Sequence, residues 1–171
     1  RELYAEAGMT RNLAPVLAQI VEAATDAGDA ARAHGAADAF RTIAARDPAA
    51  WNAWLPLLDA QLRKADGDPA GALAALAAHL DRVPGAQGPA AFASLFQLGR
   101  WQVAAGQTDD LLLREDWRPW LRSHPGAISL RISALRAAGR GDEADTEQAR
   151  LGHLLDAADA ASPPDPALPE P

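Results

Sequence analysis

The chain has 171 residues, long enough for one domain with a sizeable core, and 49% of them are apolar. Its 23 acidic and 16 basic side chains give a net charge of −7, which argues against nucleic acid as a partner because phosphate-binding domains usually carry a basic face. The absence of cysteine excludes disulfides, thiolate metal sites and cysteine nucleophiles, and the longest nearly apolar run, 70–80, is too short to cross a bilayer.

Turn-forming sequences divide the chain into helix-length stretches. In chain order they lie at 26–30, 45–50, 65–70, 82–89, 104–110, 123–126 and 137–144. The stretches between them have roughly 14 to 18 residues, a usual helix length. Apolar residues recur there at intervals of three and four, as at Leu73, Leu76 and Leu80, and we find no strand-like alternation of useful length. The pattern predicts an all-α protein with about eight helices.

Residues that begin or interrupt helices refine this prediction. Asp47 and Asp68 each precede a proline, which predicts an N-cap followed by proline at the first helical position, where its missing N–H costs nothing. Pro56 and Pro119 would each remove a hydrogen bond from an uninterrupted helix. We therefore expect a helix start or a bend at both of these prolines.

Glycine and proline also recur at long intervals. Gly28, Gly67 and Gly106 lie where helices are expected to end in the left-handed conformation, and they are 39 residues apart, with Gly141 following after 35. Prolines 48, 84 and 125 are 36 and 41 residues apart. A period of about 35 to 40 residues with two helices in each unit predicts a helical repeat array.

Three segments match parts of a known repeat pattern. They are "GAADAFRTIAARDP" at 35–48, "AWLPLL" at 53–58 and "LFQLGRWQVAAG" at 95–106. On these segments, within about 12–155, the chain resembles the tetratricopeptide repeat (TPR) family, whose unit is a 34-residue helical hairpin. The units here run long, and Gln61 or Gln102 stands at the family's tyrosine position. A looser relative of the superfamily and an irregular helical bundle are the alternatives.

The resemblance implies about four antiparallel helix pairs within 1–160, stacked as a right-handed TPR-like superhelix. Stacking buries a face that one hairpin cannot bury alone, and alanines allow close approach of the helices. Six side chains at matching positions are expected to be buried: Ala36, Phe40, Ile43, Leu76, Leu95 and Leu98.

The histidines and acidic residues of the chain do not have the spacing of known catalytic or metal-binding motifs. No two of the four histidines lie three or four residues apart, and acidic pairs such as Asp109–Asp110 fall near turns or helix starts, where negative charge is favoured. Neither a nucleophile elbow nor a phosphate-binding loop occurs in the sequence. We therefore predict a protein that is not an enzyme and has no cofactor or metal.

The resemblance implies a non-catalytic interaction or scaffolding module that binds a peptide or protein in a concave groove lined by the first helix of each pair. The family's groove positions fall on the following residues of this chain: Glu22, Asn52, Leu55, Asp59, Arg63, Phe96, Arg100, Val103, Ser129, Ser133 and Arg136. The clamp that some members use for C-terminal carboxylates is not reproduced.

Three of these positions hold arginine in successive first helices. If the repeats align, Arg63, Arg100 and Arg136 form a positive stripe that receives an extended, acid-containing segment. The alternative is that these arginines pair with Asp59 and Glu22 as a solvated network on the surface.

The five tryptophans are interpreted mainly as core or hinge residues. Trp117 and Trp120 flank Pro119, and we expect this pair to be partly exposed and available to a partner.

The ends of the chain and its amino-acid usage give the remaining expectations. The tail 161–171 is rich in proline and predicts a disordered end or tether. The chain begins with Arg1, so we expect a processed form or a fragment whose targeting segment is missing. Fifteen arginines against one lysine suggest a bacterial source, in the cytoplasm or periplasm.

Two other functions stay open on the sequence alone. The chain could be an accessory helical domain of a larger enzyme or cell-envelope assembly, or a helical enzyme with an unrecognised site. A deep pocket with converging polar groups would favour the enzyme, and a smooth open groove would oppose it.

Overall fold

The computed structural model describes residues 2–83, 85, 88–114, 117–122 and 124–161, with side chains described between 12 and 160 in these ranges. The proline-rich tail predicted at 161–171 lies outside the described residues, apart from the backbone of Ala161. Within the described ranges the chain is helical and contains no strand. Its α-helices are α1 (Glu2–Asp26), α2 (Ala30–Arg46), α3 (Pro48–Trp51), α4 (Leu55–Ala65), α5 (Pro69–Arg82), α6 (Pro89–Ala104), α7 (Thr108–Leu113), α8 (Pro125–Ala137) and α9 (Gly141–Ala161).

The chain divides into two compact units, Arg1–Trp101 and Gln102–Pro171. In the part of the chain that the structure describes, no helix is both long enough and apolar enough to cross a membrane.

Four turns between consecutive helices are built in the same way. The turn glycines have φ values of 73° at Gly28, 88° at Gly67, 73° at Gly106 and 74° at Gly139. After each glycine, the next amide donates to the carbonyl five residues before it, at 2.8 to 2.9 Å. This is the Schellman motif, and it satisfies carbonyls that a helix end would leave without a partner.

The left-handed conformation predicted for the first three of these glycines is confirmed, and the fourth turn differs from the prediction. Gly139 is the turn residue there, whereas Gly141 begins α9.

Aspartate caps begin α3 and α5 as predicted. Asp68 accepts a hydrogen bond from the amide of Gly71 at 2.8 Å, and Asp47 accepts one from the amide of Ala50 at 3.4 Å. Both helices carry proline in the first turn. The caps and turns are local features, so the order of residues sets them before any long-range packing.

The predicted breaks at two prolines are confirmed, but a third proline behaves differently. Pro56 lies in the first turn of α4, directly after a short 3-10 helix, and Pro119 lies in the turn before the 3-10 helix Trp120–Arg122. Pro15, which the sequence analysis did not single out, lies inside α1. A proline in a helix interior removes one backbone hydrogen bond, so long-range packing has to stabilise α1 there.

In the first unit, α1 and α2 form one hairpin and α4 and α5 form another, and α4 packs against both α1 and α2. Phe40 is completely buried between these helices, and its ring meets that of Trp51 edge to face at 5.9 Å. Many of the other buried residues are small: Ala14, Ala24, Ala33, Ala36, Ala37 and Ala44. Small side chains allow helices to approach closely, which explains the alanine-rich composition.

All six side chains predicted to be buried are buried: Ala36, Phe40, Ile43, Leu76, Leu95 and Leu98.

In the second unit, α8 and α9 form a hairpin, and α7 packs against α8. Its core cluster consists of Ile128, Ile132, Leu135, Ala144 and Leu151. The first three come from one face of α8 at intervals of four and three, as an amphipathic helix requires.

Candidate functional site

Four charged side chains from three helices meet in the first unit, and we call them the first-unit charge cluster: Glu22, Asp26, Lys64 and Arg100. Arg100 donates to Glu22 at 2.5 Å and to Asp26 at 3.2 Å. Lys64 donates to the other carboxylate oxygen of Asp26 at 2.7 Å. The cluster joins α1, α4 and α6.

Two further side chains of α6 adjoin this cluster. With its amide oriented to suit both neighbours, Gln97 donates to Glu22 at 3.2 Å and accepts from the indole N–H of Trp101 at 2.5 Å. The ammonium group of Lys64 also lies 5.6 Å from the centre of the Trp101 ring, within cation–π range. Each charge therefore has an opposite charge or a dipole beside it.

The carboxyl group of Asp26 responds to these neighbours. Partial burial raises its pKa, but the hydrogen bond from Lys64 and the charges of Lys64 and Arg100 together outweigh burial and hold the pKa below its ordinary value of 3.8. Asp26 is thus a carboxylate that balances two cations at neutral pH.

These contacts partly match the surface network of ion pairs that was the alternative to the predicted arginine stripe. Arg100 pairs with Glu22, as the surface-network alternative expected. Asp59, however, pairs with Arg41 of α2 at 2.7 Å rather than with Arg63. Arg63 is exposed at the end of α4.

The other predicted groove positions of the first unit differ in exposure. Asn52 is exposed in the 3-10 helix before α4, and Leu55 is half-buried against the core. Phe96 is half-buried and stacks on Phe92, one turn earlier in α6, with ring centres 5.7 Å apart. An apolar contact surface is therefore available at Leu55 and Phe96, whereas Asn52 is polar and open.

The remaining predicted groove positions belong to the second unit. Val103 is half-buried near the end of α6, and Ser129, Ser133 and Arg136 are exposed on α8. Ser133 donates to the carbonyl of Ser129, and the guanidinium of Arg136 lies 3.7 Å from Asp145. Arg136 belongs to a different unit from Arg63 and Arg100, so a stripe shared by all three stays a prediction.

The predicted exposure of the tryptophan pair is wrong for one member. Trp117 is only 3% exposed, packed among Leu111, Leu121 and Leu130. Trp120 is half-buried, with its ring edge to face with that of His124. Burial of the large apolar indole ring is more favourable than its exposure in a surface turn. Because α7 is short, the ring can pack against α8.

The second unit has a groove that the sequence analysis did not find, and it shares Leu112, Leu121 and Arg131 with the surroundings of Trp117. It has a volume of about 550 Å³, and we call it the arginine groove. Its lining consists of five arginines, three leucines and one glutamate: Arg114, Arg118, Arg122, Arg131, Arg150, Leu112, Leu113, Leu121 and Glu147.

A single carboxylate adjoins two of the arginines on the α8–α9 side of this groove. Glu147 accepts a hydrogen bond from Nε of Arg150 at 2.8 Å, and the same carboxylate oxygen forms an ion pair with Nη2 of Arg150 at 2.6 Å. Nε of Arg131 lies 3.5 Å from the other oxygen of Glu147. Among the lining residues that the structure describes, Glu147 is the only acidic one.

A sequence signal for this groove does exist. Arg114, Arg118 and Arg122 follow one another at intervals of four residues in "REDWRPWLR". The sequence analysis considered this segment for its tryptophans and proline and made no prediction for the three arginines. Arg131 and Arg150 come from distant helices, and only the packing of α8 and α9 brings them to the same groove.

No group of three or more histidine and carboxylate side chains in the described ranges is arranged to hold a metal ion. Comparisons with protein families, with curated proteins and with solved structures find no significant match to this chain.

Proposed function

We propose that this chain is a non-catalytic protein-interaction module of TPR-like architecture, whose stacked helix pairs form a right-handed superhelix and present a binding surface for a peptide or a partner protein. The observation that carries the proposal is the repetition of one turn. Four Schellman turns with the same hydrogen bonds follow one another at intervals of 39, 39 and 33 residues. Helix-ending turns at such regular intervals are typical of arrays that stack to bind extended partners.

The packing of the first unit supports the proposal. Helix α4 packs against both helices of the preceding hairpin. Asp26 of α1 bonds to Lys64 of α4 and to Arg100 of α6, so one group of charges joins these three helices. In the TPR family the first helix of each pair lines the binding face, and the proposed face of this chain would include the exposed Asn52 and Arg63 and the half-buried Leu55 and Phe96.

An unbiased selection tests the proposal. The full chain is immobilised and used to select from a displayed library of random peptides. We expect a shared sequence motif among the peptides that bind, with dissociation constants on the order of micromolar for a module of this kind. A Phe40→Ala variant, which removes the largest buried side chain of the first hairpin, tests whether binding needs the native fold.

The binding face is then mapped with two charge reversals. Arg63→Glu changes an exposed first-helix residue, and Arg46→Glu changes an exposed residue at the end of α2. We expect only the first to weaken peptides that bind to the first-helix face. Failure to select any peptide motif on the folded chain would overturn the proposed function.

A further inference from the structure

We propose that the arginine groove binds an extended acidic segment of a partner protein, with the segment's carboxylates against the arginines and an aliphatic side chain on Leu113. The proposal rests on the proposed function, because it names the ligand class of an interaction module. It concerns the second unit, however, and uses none of the groove positions that the TPR resemblance implies.

The charge of the groove is opposite to that of the chain. Among the described residues, five arginines and one glutamate line it, whereas the whole chain carries a net charge of −7. Guanidinium groups bind carboxylates through two parallel hydrogen bonds, which gives both affinity and orientation. A local positive surface within an acidic protein favours a ligand whose negative charge is concentrated where it meets that surface.

Glu147 shows how the groove holds a carboxylate. It accepts one hydrogen bond from Arg150, forms an ion pair with the same guanidinium group and lies beside Arg131. Arg122, which also lines the groove, is exposed, and no ion pair or hydrogen bond to its side chain is found within the described part of the chain. A ligand carboxylate at Arg122 would therefore gain an ion pair without breaking one.

The leucines of the groove favour a peptide over a simple anion. Leu113 is 80% exposed, the most open large apolar side chain among the described residues, while Leu112 and Leu121 are half-buried beside it. Covering Leu113 removes apolar surface from water, which a ligand with only charged groups would not do. The volume of about 550 Å³ is typical of ligand-binding clefts.

The same lining disfavours single-stranded nucleic acid. Proteins that bind it without sequence preference usually stack bases on aromatic side chains. No aromatic side chain is among the described residues that line the groove, and the Trp117 ring is buried.

The binding test uses the full chain and a short fluorescein-labelled peptide of glutamates around a central leucine. A second peptide with glutamine in place of every glutamate is the control for charge. We expect fluorescence anisotropy to show binding of the acidic peptide that weakens by about tenfold or more between low and physiological salt, and no binding of the glutamine peptide.

Two variants locate the binding site. The double variant Arg118→Glu/Arg122→Glu reverses two charges of the groove and should weaken binding of the acidic peptide by about tenfold or more. The matched control, Arg46→Glu/Arg82→Glu, reverses two exposed arginines of the first unit and changes the net charge by the same amount. Equal weakening by both pairs would show a general charge effect and would overturn the proposal.

A third variant predicts a gain. Glu147→Gln removes the negative charge inside the groove and frees Arg150 for the ligand, so the affinity for the acidic peptide should increase about three- to tenfold. A purely structural role of Glu147 would give weaker binding or none. Unchanged or weaker binding by this variant, with native circular dichroism, contradicts the proposal.

Two outcomes separate this inference from the proposed function. If library-selected peptides bind and the groove variants do not change their affinity, the proposed interaction module is supported. The proposal that the arginine groove binds an acidic segment is then wrong. If a single-stranded oligonucleotide of equal charge displaces the acidic peptide at a lower concentration than the unlabelled peptide itself, the groove is a nucleic-acid site and the inference is overturned.

Discussion

The two units of the chain use arginine in opposite ways. In the first unit Arg100 lies between the carboxylates of Glu22 and Asp26, and the cluster that it forms joins three helices. In the second unit five arginines line one groove, in which Glu147 is the single acidic side chain among the described lining residues. One unit therefore places an arginine between two carboxylates, whereas the other collects several arginines in a groove with one described carboxylate.

The difference teaches that a count of charges does not locate a binding surface. The predicted groove arginine Arg100 is balanced by carboxylates, whereas the arginine groove formed where the sequence analysis expected exposed tryptophans. What decides the outcome is which carboxylates the tertiary packing places within reach. The following predictions test this contrast, from the largest expected effect to the smallest.

The largest effect is expected at Trp117, whose surroundings share Leu112, Leu121 and Arg131 with the arginine groove. Trp117→Ala removes a side chain that is 3% exposed and leaves a cavity between α7 and α8. We expect the free energy of unfolding of the second unit to fall by about 3–5 kcal/mol, as measured by urea denaturation and by amide hydrogen exchange in α8.

Trp117→Phe is the matched control. The indole N–H of Trp117 has no hydrogen-bond partner within the described ranges, so phenylalanine keeps an aromatic ring and removes a buried donor. Its loss of stability should be clearly smaller than that of Trp117→Ala. Alanine and phenylalanine variants of equal stability would contradict the role of the ring in supporting the groove.

Reversing the charge of an arginine should lower the free energy of unfolding more in the first unit than in the second. The expected effect is intermediate in size among these predictions. Arg100→Glu breaks two ion pairs and places a third carboxylate beside Glu22 and Asp26. Exposed pairs contribute up to about 1 kcal/mol each, so we expect a loss of roughly 1–2 kcal/mol in urea denaturation. Arg122→Glu in the arginine groove should change stability by less than about 0.5 kcal/mol.

These reversals sharpen the contrast between a structural and a binding arginine. Should Arg122→Glu destabilise the chain as much as Arg100→Glu does, the groove arginines would be structural after all. The proposed binding role of the groove would then lose its main support.

The pH dependence of stability should report on Asp26. Because its folded pKa is lowered, its contribution is present above the unfolded value of about 4 and is lost as the pH falls through the folded pKa. Asp26→Asn should therefore cost on the order of 1 kcal/mol or less at neutral pH, and the difference from the native chain should disappear on acidification below about pH 4.

The readout for Asp26 is the urea midpoint of both proteins at a series of pH values. A difference between the two proteins that grows on acidification would show that the sign of the Asp26 contribution is wrong.

The smallest effect is expected at Asp59, a predicted groove residue that pairs with Arg41 at 2.7 Å on an exposed surface. Asp59→Asn should change the melting temperature by no more than a few degrees, because such pairs contribute about 0–1 kcal/mol. If peptides selected on the chain bind to the first-helix face, the same variant should still alter their affinity. A change in stability of several kcal/mol would refute the interpretation of Asp59 as a surface residue.

The sequence alone determined the local features of this protein. The aspartate caps before Pro48 and Pro69, the left-handed glycines and the breaks at Pro56 and Pro119 depend on residues that are close together in the chain. The burial of Phe40 and Leu98 was predicted correctly because apolar residues at helical spacing lie on one face of a helix, and that face packs into the core.

Only the tertiary structure decided which charges meet. Lys64 and Arg100 lie 38 and 74 residues from Asp26, and Arg131 and Arg150 reach the arginine groove from α8 and α9. Tertiary packing also decided that Trp117 is buried, whereas the sequence predicted a partly exposed contact residue. Coulomb energies and burial depend on distances of a few ångströms between side chains far apart in sequence, and the spacing of residues along the chain does not encode these distances.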